Sequence, residues 1–167
     1  MRTQLWLQEQ LEQLLRGAFS DMEVMNRLTV QWGRKASRRF GSIKMSRDKK
    51  VSEITINGIF RDEAIPEQIV QATLAHELTH YVHGFSSPLP KKYKHPHAGG
   101  IIEREFKKRG LSLLSAYEKQ WTKNKWPNIV KESFPQRVRR AHRSIRLVRR
   151  PRGVKKGSLI DLLFELF

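Results

Sequence analysis

Residues 73–80 read Thr73-Leu74-Ala75-His76-Glu77-Leu78-Thr79-His80. Histidines four apart lie on one face of a helix, so both imidazoles of this HExxH sequence can reach one metal ion. Glu77 follows the first of them and is placed to take a proton from a water held at that ion, whose pKa zinc lowers to about 7. The flanking residues supply the helix. Ile69, Val70, Leu74, Leu78, Tyr81 and Val82 recur at three- and four-residue steps, Pro66 and Glu67 suit a first turn, and Gly84 ends the run. A helix of this kind docks its apolar side on a sheet.

The preceding residues provide that sheet. Leu28, Val30 and Trp32 alternate with polar residues, as do Ile43 and Met45, and Val51, Ile54 and Ile56 make a third strand. Thr3 to Phe19 reads as an amphipathic helix with Leu7, Leu11, Leu14, Leu15 and Ala18 on one side. After the motif, residues 84–97 form a loop with three prolines and a Lys91-Lys92-Tyr93-Lys94 run. Helices are expected from about Gly99 to Arg109 and from Ser112 to about Lys123, the latter with Leu113, Tyr117 and Trp121 as its core stripe. The fold class is α+β: a small three-stranded sheet packed on an N-terminal helix and on the HExxH helix. The expected division is a catalytic domain over residues 1–110 and a helical, strongly basic extension over 111–167.

A catalytic zinc site takes three protein ligands and leaves one position open. His83, His95, His97, Glu103 and Glu105 are the candidates for the third. His83 lies in line with His76 and His80 along one helix and cannot close a tetrahedron. His97, at the end of the loop, and the two glutamates in the next helix remain, divided evenly by spacing alone.

Charge is distributed unevenly. The chain has 167 residues and a formal charge of +17, but residues 1–90 carry 12 basic and 10 acidic side chains, against 21 and 6 in residues 91–167. Residues 137–156 hold ten Arg or Lys and no acid, with Val138, Ala141, Ile145 and Val148 at helical spacing. This reads as a basic amphipathic helix in which Arg137, Arg139, Arg140, Arg143, Arg146, Arg149 and Arg150 meet the phosphates of a nucleic acid, DNA ahead of RNA. Its narrow apolar stripe lacks aromatic residues, which disfavours a membrane surface. Tyr93, Trp121 and Trp126, interleaved with lysines, are candidates to stack on unpaired bases. The apolar stretch from Ser158 to Phe167 reads as a helix docked on the core.

Cysteine is absent, which excludes disulfides, thiolate nucleophiles and cysteine-ligated zinc. No apolar run approaches the roughly 20 residues that span a bilayer. A cytoplasmic protein without integral membrane association is expected, in the vicinity of the nucleoid if the basic helix binds DNA.

The stretch from Trp32 to Gly110 resembles the SprT-like (Spartan-type) zinc metallopeptidase domain. The shared features are Trp32-Gly33-Arg34-Lys35 after a strand, a strand pair, the HExxH helix, Pro96-His97 after a loop, and a helix with Phe106-Lys107-Lys108. The resemblance implies a minimal zincin-like fold, zinc as cofactor and His97 as third ligand beside His76 and His80. Ala98 and Ile101 depart from the family's glycine and aromatic after that histidine, which keeps His95 in play. It also implies proteolysis of DNA-bound proteins. Many members carry a cysteine-rich zinc ribbon where this chain has its basic helix. The expected function is a zinc metalloendopeptidase acting on proteins at or near DNA. The alternative is a nucleic-acid-binding protein whose zinc site is structural or inactive.

Overall fold

The computed structural model describes residues 1–135, and the basic segment with the seven arginines named above lies outside them, as does the stretch from Ser158 to Phe167. Met1–Pro127 forms one compact unit, and a second begins at Asn128. Among the described residues the architecture is α+β. Helix α1 (Gln4–Arg16) leads into strands β1 (Arg27–Trp32), β2 (Gly41–Met45) and β3 (Val51–Ile56), followed by α2 (Glu67–Val82), α3 (Ile101–Lys108), α4 (Ser112–Asn124) and α5 (Trp126–Ser133).

The sheet is mixed, in the order β1-β3-β2: β1 runs parallel to β3, and β2 forms an antiparallel pair with it. The register places Val30, Ile43 and Ile54 side by side, and likewise Trp32, Gly41 and Ile56. This face is covered by α1 against β1 and by α2 against β2 and β3. On β3 the buried residues are Ser52, Ile54 and Ile56. Val51 therefore lies on the opposite face from the two isoleucines, because side chains alternate along a strand. Ser52 holds a core position by donating to the Ser86 carbonyl and accepting from Asn26 Nδ2.

Since β1 and β2 flank β3, the chain between them must cross the end of β3. Asn57 clasps that crossing. Its Nδ2 donates to the carbonyls of Ala36 and Arg39, its Oδ1 accepts from the amides of Ala36 and Ile59, and its own amide donates to Phe40 O. The side chain is almost wholly buried, so each bond is shielded from water.

Helix α2 is buried on nearly every side, because α1, α3, α4, β2 and β3 all pack on it. It starts after Pro66, whose missing amide costs nothing there. Gly84 ends it at φ +77°, where its amide donates to Tyr81 O and the Phe85 amide to His80 O. A Cβ on Gly84 would lie 2.3 Å from the Pro90 carbonyl oxygen, so the following loop doubles back tightly over this point.

The inward stripe of α4 differs from the expected one. Leu113 is 86% exposed and Tyr117 40%, whereas Trp121 is 8% exposed. Leu114, Glu118 and Trp121 face the protein instead. Trp121 and Trp126 close an aromatic cluster with Phe40 and Phe60, and Trp126 Nε1 donates to Ser37 O. Both indoles serve as core, which removes them as platforms for bases.

Gly84→Ala combines a left-handed backbone costing about 1–2 kcal/mol with a contact against main chain that no side-chain rotation relieves. Thermal unfolding followed by circular dichroism should show Tm lowered by about 4 °C or more. An unchanged Tm would contradict the tight return described here.

Candidate metal centre

His76 and His80 project from one side of α2, and His97 comes over them from the end of the loop, immediately before a 3-10 turn at Ala98–Gly100. Their ligand nitrogens all lie within 4.8 Å of one another. The ring centroids are 4.7 Å apart for His76–His80 and His80–His97, and 5.4 Å for His76–His97. His80 is buried, His76 half-buried and His97 exposed, so the cluster has a protein side and a solvent side.

The other candidates lie outside this group. Glu105 accepts from Arg109 Nε at 2.8 Å and faces His83 Nε2 at 3.3 Å. Burial pushes its carboxyl up, but hydrogen bonding to His83 and the charge of Arg109 outweigh this and hold it below the usual range. Arg109 also donates to Ala18 O and pairs with Asp21, with its guanidinium over the Phe19 ring. His83 is fully buried in that network, and its ring packs edge-on against Tyr93. Glu103 pairs with Lys119 at 3.0 Å, and His95 is exposed.

The electrostatics favour a cation. Burial, reinforced by His97, lowers the pKa of His76 to about 4; burial, with His76 and then His97, lowers that of His80 to about 3. Both rings are thus neutral near pH 7, with lone pairs that no proton contests. Among the described residues His80 Nδ1 is buried without a hydrogen-bond partner, as is Nδ1 of His83 outside the cluster. Three clustered imidazoles suit zinc, and they also accept other divalent first-row metals.

Glu77 is on the same helix, 5% exposed, and points beneath β2. Burial raises its pKa to about 7, opposed by the charge of Arg39 and by the Ile43 backbone amide. It owes its position to Gly41: a Cβ there would stand 2.7 Å from Thr73 Cγ2 and 2.9 Å from Glu77 Oε1. Main chain of β2 can pass directly over the carboxylate only because that residue has no side chain. The three histidines and Glu77 line an open groove of about 760 Å³, bordered by Arg38, Arg39 and Phe40 on one side and by Phe85 and Lys91 on the other.

Gly41, Asn57 and Arg39 were not singled out from the sequence. Phe40-Gly41 precedes an alternating strand and Asn57-Gly58 follows one, so both pairs carry ordinary turn signals. Their bearing on Glu77 arises from pairing across the sheet.

No protein-family model matches the chain, and no curated protein does. One solved structure aligns with it, the metallopeptidase zymogen jannalysin of Methanocaldococcus jannaschii. The alignment is 13% identical, covers 66% of this chain and 96% of that one, and has a TM-score of 0.35. Similarity of that order carries no argument about this protein.

Zinc added to metal-free protein should raise Tm, by the equivalent of about 2.7 kcal/mol at one hundred times Kd. Losing an outer-sphere partner already costs about 10–100-fold in metal affinity, so His97→Ala should weaken zinc binding by more than about 100-fold. His95→Ala and Glu103→Ala should leave it unchanged. A loss of zinc in the glutamate variant with retention in His97→Ala would refute the grouping.

Proposed function

We propose that this protein is a zinc-dependent metalloendopeptidase. The observation that carries this reading is the convergence of three imidazoles within 4.8 Å on the wall of a groove whose floor holds the buried carboxylate of Glu77. His76, His80 and His97 would hold the ion. When bound, zinc supplies a Lewis acid that acidifies water and polarises a carbonyl.

The chain's own groups do the rest. Glu77 takes a proton from the attacking water as the new C–O bond forms, and returns it to the amide nitrogen as the C–N bond breaks. Burial makes the carboxylate a stronger base than a solvated one. Strand β2 is an edge of the sheet and borders the groove, so an extended peptide can pair with its free backbone groups and lie across the site. Such pairing orients any sequence, because it uses main chain.

The resemblance to SprT-like domains and the basic second half support a substrate at or near DNA. The arginines of 137–156 would concentrate the enzyme on phosphates, and Arg38, Arg39 and Lys91 line the groove itself. Selectivity would then follow from location.

Glu77→Gln should lower kcat for cleavage of a denatured protein by about 10²–10⁴-fold while zinc content, measured by atomic emission, stays at the wild-type level. Gly41→Ala should also reduce kcat with zinc retained, since the added methyl displaces Glu77 and leaves the imidazoles in place. Cleavage of a DNA-bound protein should exceed that of the same protein free, with the advantage shrinking as salt rises. If zinc-loaded wild type cleaves no protein, the peptidase reading fails and a binding role for the zinc fold takes its place.

A further inference from the structure

Beside the metal groove lies a second cavity of about 510 Å³, walled by α3 and α4. The two share Phe40, His76, His97 and Glu118, so the second adjoins the first at the metal cluster. Its walls include the apolar side chains of Phe40, Ile102 and Phe106. At its solvent edge the exposed side chains of Glu103 and Lys119 pair at 3.0 Å, and Lys123 is a second cation on its lining.

Glu118 is the one polar group at the junction of both cavities whose presence the metal chemistry does not explain. It is half-buried on the inward side of α4, and among the described residues it has no hydrogen-bond or ion-pair partner. Its sequence neighbour Lys119 is directed to Glu103 instead. Burial pushes its carboxyl up against the opposing charge of Lys119, and its own charge in turn raises the pKa of Glu77. A desolvated carboxylate without a partner is costly, and a cationic ligand would remove that cost.

We infer that this cavity is a substrate side-chain pocket and that Glu118 selects lysine or arginine in it. Both side chains have the matching form: an apolar stem to lie along Phe40, Ile102 and Phe106, and a cationic head for the carboxylate. The inference rests on the peptidase reading for its substrate, but the pocket's preference for a cation is measurable without turnover.

The test has two arms, both on the full zinc-loaded chain. In the first, wild type, Glu118→Gln and Glu118→Lys digest one denatured protein mixture, and product termini are mapped by mass spectrometry. Wild type should favour Lys or Arg at one fixed position relative to the cut. The ratio of kcat/KM for peptides with lysine and with norleucine there should fall about tenfold in Glu118→Gln, the scale of a charge-assisted hydrogen bond. Glu118→Lys should shift the preference to Asp or Glu. In the second arm, N-acetyl-lysine methylamide and its norleucine analogue are titrated against the cleavage-deficient Glu77→Gln protein and its Glu118→Gln double variant, followed by NMR. The lysine compound should bind more tightly, and the advantage should vanish in the double variant. A profile without basic preference, or one unchanged by either Glu118 substitution, overturns the inference even if the protein is an active peptidase. Absence of cleavage with Glu118-dependent lysine binding would overturn the peptidase reading and leave the cation pocket standing.

Discussion

Burial of α2 is the constraint on which the site depends. Neighbouring elements pack on the helix from nearly every direction, so its polar residues from Thr73 onward have little access to water. Desolvation penalises charge, and it acts in the useful direction on each: the two imidazoles are kept neutral and the carboxyl is made a better base. On a solvated helix the same five residues would be a pair of ordinary surface histidines and a weakly basic glutamate. Chemistry here is a property of packing as much as of sequence.

The packing is secured at a distance from the cluster. Arg109, near the end of α3, ties Glu105 to the Ala18 carbonyl and to Asp21, while Glu105 reaches His83 at the end of α2. One buried guanidinium thereby joins the segment after α1 to α2 and α3. Loop 84–97 runs between the last two of these. Its start is fixed by Gly84 and by the Lys92 amide donating to His83 O, and its end by α3, so His97 is carried on a span held at both ends.

Much of this was legible in the sequence because the governing forces are local. The α2 run, its first turn at Pro66 and its end at Gly84, and three short strands report on their own neighbours. Where non-local contacts decide, the sequence was ambiguous. Leu113 and Tyr117 have the right spacing for a core stripe, but α2 and the Phe40–Phe60 cluster lie on the side of Trp121, and the stripe rotates to meet them. Tryptophans among lysines look alike whether they stack on bases or on phenylalanines. Spacing likewise left Glu103 and Glu105 level with His97. Their partners Lys119 and Arg109 are charges of the same basic half that first suggested phosphate binding. Part of that positive charge is therefore paired with carboxylates of the protein itself.

The clearance above Glu77 has a consequence for folding. With one face of the sheet buried, a one-residue slip is already disfavoured because it would turn β2 over, but a two-residue slip keeps the same face inward. At the point where β2 crosses α2, only a residue without a side chain fits. Sliding β2 by two positions would bring Arg39 or Ile43 to that point and force a side chain into Thr73 and Glu77. Sliding it by one would turn Phe40 or Ser42 inward with the same result. The clearance that lets main chain pass over the carboxylate thus works as a gauge, accepting one alignment of the edge strand and rejecting its neighbours.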